Sequence, residues 1–175
     1  MKYSMNQPYE LNDYFHSFNS DNLQYYESLK YFLLQTKKIK GDILEFGVGR
    51  ARSIITTCHL INENKIKKNY LAFDSFRGFG NITSNDKSYR NPKDGEWALS
   101  PKKQFKYDIE NIKKIISLHI YKNNFKNVKF IKGFVEDTLP KKIKKIDSIS
   151  FINLDLDLYS GHKVVLENTF EKLSK

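Results

Sequence analysis

The stretch Gly41-Asp42-Ile43-Leu44-Glu45-Phe46-Gly47-Val48-Gly49-Arg50-Ala51-Arg52-Ser53 constrains the fold more than any other part of the chain. A short apolar run bounded by Gly41 opens into Gly-x-Gly and then into a helix-compatible segment. That pattern is the first strand–turn–helix unit of a doubly wound sheet, in which ligands sit at the carboxyl end of the strand. The first strand is expected over residues 42–46. The helix after it spans 51–62 and buries Ile54, Cys58 and Ile61.

The flanking segments extend this alternation. A helix is expected over 23–38 behind a cap at Ser20-Asp21, with Tyr25, Leu29, Phe32 and Leu33 on one side. A second strand, 69–73, ends in Asp74-Ser75-Phe76. Residues 77–100 are rich in Gly, Asn, Asp, Ser and Pro without period, which predicts a long loop of functional or disordered type. Ser100-Pro101 then caps a long amphipathic helix marked by Phe105, Ile109, Ile112, Ile116 and Ile120, running to about residue 122. A third strand, 128–131, leads to Gly133-Phe134-Val135-Glu136-Asp137-Thr138-Leu139-Pro140, where Glu136-Asp137 caps a short turn or helix. A fourth, 148–154, leads into Asp155-Leu156-Asp157-Leu158-Tyr159. A last helix from Ser160-Gly161 to residue 173 packs Val164, Val165, Leu166 and Phe170. Strands alternating with helices predict a parallel sheet with helices on both faces. Residues 1–40 read as a lead-in and helix, and 41–175 as the α/β domain proper.

The net charge of +10 raises the question of nucleic acid. The lysines fall in helix faces and turns, and no ordered aromatic-and-basic strand pattern occurs, so a solvated basic surface is the preferred reading. No apolar run approaches the ~20 residues of a membrane span. The single cysteine, Cys58, cannot form an internal disulfide and fits a cytoplasmic setting.

Function is read from where the strands stop. Glu45, Asp74 and Asp155 stand at or beside strand ends, and Glu136 follows the third strand closely. In a parallel sheet these ends share one edge. A pyrophosphate ligand wants a third glycine or a Gly-Lys-Ser/Thr, but Arg52 takes the first place and the second motif is absent. Glu45 before the turn would repel phosphate and attract an amino group or a sulfonium. Asp74, roughly 25 residues beyond the glycines, suits both hydroxyls of a ribose. Ribose, a cationic centre and no phosphate together describe S-adenosyl-L-methionine.

Four blocks in order, Glu45 to Ser53, Phe73-Asp74-Ser75-Phe76-Arg77-Gly78, the Gly133 to Pro140 run, and Leu154 to Tyr159, resemble the macrocin-type sugar O-methyltransferases. The resemblance implies a Rossmann-like, class I methyltransferase fold with S-adenosyl-L-methionine as donor. It also implies a small, sugar-like hydroxylated acceptor and a divalent metal, usually Mg2+. It assigns Glu45, Gly47 and Ser53, with Val48 and Gly49, to the methionine end of the donor, and Asp74 and Ser75 to the ribose. Phe134, Val135 and Glu136 fall to the adenine, Asp155 and Asp157 to the metal, and Asp155 and His162 are the candidates for catalytic proton transfer. Metal would lower the pKa of a bound hydroxyl and align it with the methyl group.

Two departures stand out. Ala51 replaces a glycine of the family pattern, and the sequence stops where the family continues with a fifth strand bearing an acidic pair. The expectation is therefore a fold truncated after its fourth strand and helix, with low catalysis from residues 1–175 alone. The open strand edge and uncovered helix face would favour a homo-oligomer or a partner that completes the sheet. The alternatives are a non-catalytic Rossmann-like binding module and, behind it, a nucleic-acid methyltransferase, although the fourth strand lacks an Asn-Pro-Pro-Tyr end. His59 and His119 read as surface or packing residues and Cys58 as core. Trp97 and Tyr89 read as a lid over the acceptor or as loop anchors.

Overall fold

The computed structural model describes residues 20–87, 91–100, 103, 105–120 and 127–174. The expected lead-in before residue 20, along with Tyr89, Pro101 and the helix end at 122, lies outside them. Four strands, β1 (Asp42–Phe46), β2 (Tyr70–Asp74), β3 (Val128–Lys132) and β4 (Ile149–Leu154), form one parallel sheet in the order β3-β2-β1-β4. The helices are α1 (Ser20–Gln35), α2 (Arg52–Glu63), α3 (Ile109–His119), α4 (Val135–Lys142) and α5 (Tyr159–Thr169). The strand order reverses between β1 and β4, and at such a switch point the crossovers diverge to opposite faces and leave a crevice.

Alternation along the strands divides the core in two. Ile43, Tyr70 and Ala72 face a layer built from Leu33 of α1, Ile54 and Cys58 of α2, and Ile112 and Ile116 of α3. Leu44, Phe46, Leu71 and Phe73 face Leu139 of α4 and Val165 of α5, with Phe46 and Phe73 stacked at 4.8 Å. Each such side chain, fully buried, contributes about 1.5–3 kcal/mol. Helices on both faces of a parallel sheet make this a Rossmann-like α/β fold.

Several elements differ from the sequence expectation. The long helix begins at Ile109 rather than at Ser100. Asp108 accepts a hydrogen bond from the Asn111 amide at 2.9 Å and so caps it, whereas Ser100 closes a turn by accepting from the Phe105 amide at 3.1 Å. The segment after β3 forms the helix α4 with Pro140 inside it, and Glu136 and Asp137 stand in its first turn rather than capping it, Phe134 holding the cap position. Phe32 is 56% exposed, and Leu166 and Phe170 are 58% and 75% exposed, so of the four residues expected to pack the last helix only Val165 is fully buried. The described part of the loop, 77–87 and 91–100, carries its own hydrogen bonds: the Phe79 amide donates to the Glu96 carbonyl at 2.8 Å, and Gly95 donates back to Phe79 at 2.8 Å. A 3-10 turn, Ser84–Asp86, lies between them.

Candidate active site

At the switch point, the carboxyl ends of β1 and β4 lie against each other. The Asp155 amide donates to the Phe46 carbonyl at 2.8 Å, and the Gly47 amide donates to Phe73 at 2.9 Å. Gly47 has φ 92, and a Cβ built there would lie 1.9 Å from the Asp155 carbonyl oxygen. Only glycine lets the two strand exits meet so closely. Ala51, the residue before α2, also has positive φ (64) and is wholly buried, which accounts for a glycine preference there.

A cavity of about 490 Å³ opens above these strand ends. Its floor is Gly47, Val48, Gly49 and Ser53, one wall carries Asp74, Ser75, Phe134, Val135 and Glu136, and the opposite wall carries Asp155 and Asp157. Of the residues singled out in the sequence, Glu45 and His162 do not line it.

Glu45 lies beneath the floor with no exposure. Strand alternation turns it toward α2. There its Oε1 accepts from the Ser53 hydroxyl at 2.5 Å and its Oε2 accepts from the Tyr70 hydroxyl. Burial outweighs those hydrogen bonds and raises its carboxyl from 4.5 to about 7. Ser53 joins Glu45 to the cavity, since it touches both. Tyr70 was hidden in the sequence because its partnership depends on the β1–β2 pairing. Asn153 sits opposite Glu45 in β4, donates to the Tyr25 hydroxyl at 3.1 Å, and was signalled only by being polar within an apolar strand.

Asp74 serves the turn directly. Its Oδ2 accepts from the Val48 amide at 2.7 Å and the Gly49 amide at 3.2 Å, and its Oδ1 from the Phe76 amide at 2.6 Å. The carboxylate therefore holds the glycine turn in shape while it also lines the cavity. Glu136 accepts from the Ser160 hydroxyl at 3.0 Å, which ties α4 to α5. Phe134 fits against Gly80, where any Cβ would come within 2.6 Å of the ring.

On the opposite wall, burial first and the neighbouring Asp157 second raise the Asp155 carboxyl, while His162 opposes them. Asp157 holds a left-handed backbone, φ 62. His162 Nδ1 sits 2.8 Å from the Leu158 carbonyl. A carbonyl only accepts, so Nδ1 carries a proton in this contact. As donors for a metal, Asp155 and Asp157 supply two hard carboxylates. Among the described residues no group of three or more His, Cys, Asp or Glu side chains gathers to hold an ion. The described ligand set therefore does not make a metal centre by itself.

Cys58 is buried in the core with its thiol pushed up to about 12 by burial, which makes it inert rather than nucleophilic. Trp97 lines the cavity. No helix among the described residues is long and apolar enough to cross a membrane.

Comparison with known proteins agrees with this architecture. The macrocin-O-methyltransferase (TylF) family matches residues 26–175. No curated protein sequence matches the chain. Among solved structures, a calicheamicin methyltransferase superposes with a TM-score of 0.75 at 23% identity, over 97% of this chain and 69% of its own. The O-methyltransferase NovP gives 0.65 at 22% identity, over 85% of this chain and 60% of its own. The apo form of a TDP-rhamnose 3'-O-methyltransferase of calicheamicin biosynthesis gives 0.64 at 22%, over 98% of this chain and 68% of its own. These three likenesses concern the fold; the sequence match over most of the chain decides the family. The chain belongs to the macrocin-O-methyltransferase family, and its enzyme class is that of an O-methyltransferase.

Proposed function

We propose that the cavity binds S-adenosyl-L-methionine and that the protein methylates a hydroxyl of a small, sugar-like acceptor. The observation that carries this is the floor of the cavity: a Gly-x-Gly turn with a buried carboxylate, Glu45, directly behind it and linked to it through Ser53. A buried carboxyl that ionises at about 7 behind the turn favours a cationic ligand over a phosphate. Asp74 and Ser75 would take the ribose, and Phe134, Val135 and Glu136 the adenine. The sugar character of the acceptor is carried over from the family and from the solved neighbour described as a TDP-rhamnose methyltransferase.

In the reaction, the acceptor oxygen attacks the donor methyl carbon as the carbon–sulfur bond breaks, and the sulfonium becomes a neutral thioether. The hydroxyl proton must leave. Asp155, which lines the cavity with its carboxyl raised by burial, is the proposed base that takes it. His162, outside the cavity lining, acts on that carboxyl through charge. Magnesium enters this proposal only as an expectation from the family: when bound it would supply positive charge near the acceptor oxygen, and Asp155 and Asp157 would contribute two of its ligands.

Calorimetric titration with S-adenosyl-L-methionine and S-adenosylhomocysteine, with magnesium and with a chelator, tests the proposal. Binding of both nucleosides is expected. Failure of both to bind would sink the donor assignment, and binding without turnover on any sugar would leave a binding module. Binding and turnover that ignore the chelator would remove the metal from the scheme.

A further inference from the structure

Arg50 is a cation of the cavity that no step above uses. It follows Gly49 in the turn and lines the cavity together with Trp97 and Tyr107. Its guanidinium carbon lies 5.2 Å from the Trp97 ring centroid and 5.9 Å from that of Tyr107. Its Nε is buried and has no hydrogen-bond partner among the described residues. Of the carboxylates that share the cavity, Asp74 accepts three backbone amides and Glu136 accepts the Ser160 hydroxyl, while Asp155 and Asp157 stand on the opposite wall.

The rings that hold Arg50 are built in place. Tyr107 is 4% exposed, and its amide donates to the Ala98 carbonyl at 3.0 Å. Trp97 has φ 69, a left-handed conformation that is strained for a bulky residue and persists only where surrounding contacts impose it. Gly78 closes the loop beneath, since a Cβ there would lie 2.2 Å from the Glu96 carbonyl. Cation–π contacts of this kind hold a guanidinium without spending its N–H donors. A planar N–H fork held between two rings can take an oxyanion through two parallel hydrogen bonds, and lysine could not reproduce it.

We infer that Arg50 is an oxyanion-binding residue of this cavity, taking a carboxylate or phosphate group of a bound small molecule in a bidentate grip. The inference deepens the proposed function and rests on it to the extent that the cavity holds a donor and an acceptor. The oxyanion then comes either from the amino-acid tail of the donor or from an anionic acceptor.

The test is calorimetric titration of the full chain and its Arg50→Gln variant with three probes. S-adenosylhomocysteine carries the carboxylate, 5'-methylthioadenosine is the same thioether nucleoside without the amino acid, and thymidine diphosphate carries phosphates. Arg50→Gln should weaken at least one of the two anionic probes about tenfold or more while methylthioadenosine changes less than about twofold. A loss confined to S-adenosylhomocysteine assigns the group to the donor tail; a loss confined to thymidine diphosphate assigns it to an anionic acceptor. Lys163→Gln removes one charge from an exposed pair elsewhere and should change nothing. Equal losses for all three probes, equal losses in the Lys163 variant, or no loss beyond about twofold would overturn the inference. Wild-type chain that binds thymidine diphosphate through Arg50 but neither thioether would sink the donor assignment and leave Arg50 standing. Wild-type chain that binds no probe overturns both. If Arg50→Gln does not fold, Arg50→Lys keeps the charge without the fork and should lose about threefold on the same anionic probe; wild-type affinity there would overturn the grip.

Discussion

At the scale of single residues, Glu45 and Gly47 decide what the turn after β1 can do. The Glu45 carboxyl is fully buried and raised from 4.5 to about 7, chiefly by burial. In the unfolded chain it ionises near 4.5, so between these values the folded state holds more protons. Stability contributed by the neutral form is therefore lost as pH rises from about 4.5 through about 7, a change of about 3 kcal/mol from this group. Glu45→Gln, which stays neutral, should lack that fall; denaturation curves at pH 5 and 8 whose difference matches wild type would refute the assignment. A cationic donor favours the ionised form, so its binding should tighten across pH 7 in wild type and stay flat in Glu45→Gln. Gly47→Ala places a methyl on the Asp155 carbonyl with no flexible side chain to give way. It should cost more than about 2 kcal/mol. Gly49 has φ 49 but nothing within 4 Å of where a Cβ would stand, so Gly49→Ala should cost only about 1 kcal/mol of backbone strain. Thermal melts in which the two variants lose equally would show that strain, not the β1–β4 approach, governs the turn.

Between residue and fold, the elements are joined by ties that the sequence displays unevenly. Helix α5 begins without a side-chain cap from its own Leu158. The tie comes instead from the loop after β2: Asp86 Oδ1 accepts from the Tyr159 amide at 2.6 Å, while Oδ2 accepts from the Thr83 amide and hydroxyl at 2.7 and 2.8 Å. Burial works to raise this carboxyl, but the three donors together hold it below the usual range. Asp86→Asn loses acceptor capacity on one side and should cost about 1–2 kcal/mol, with faster hydrogen exchange at Thr83 and Tyr159. Unchanged exchange at Tyr159 would show that the loop does not hold α5. The strands were readable because each is a short apolar run closed by an acidic or turn residue, and their shared edge placed Asp74, Glu136 and Asp155 around one cavity. Residues 83–86 read only as part of a long loop, and nothing in their spacing shows that the Asp86 carboxylate serves a helix 73 residues away. Helix α4 was obscured by Pro140, and the burial of Glu45 could not be read at all. A carboxylate before a glycine turn looks like a ligand until the neighbouring strand supplies Tyr70.

For the molecule as a whole, the strand order leaves β4 at one edge of the sheet. Leu173 makes a parallel bridge to Ile149, and the Ser174 amide donates to the Ile149 carbonyl at 2.9 Å, so the segment after α5 begins to pair with that edge. Beside it Leu166, Phe170 and Leu173 are 58%, 75% and 41% exposed. An unpaired strand edge next to exposed apolar side chains promotes association between chains. Sedimentation of residues 1–175 should therefore show mass rising with concentration. Replacing Leu166 and Phe170 together by lysine should suppress that rise. The same pair should change folding stability by no more than about 0.5 kcal/mol per site, because neither side chain is packed in the monomer. A variant that melts far below wild type would mean these side chains support the fold itself. A variant that associates as strongly as wild type would move the contact to the β4 backbone, where a proline at Ile152 would then be the disrupting change.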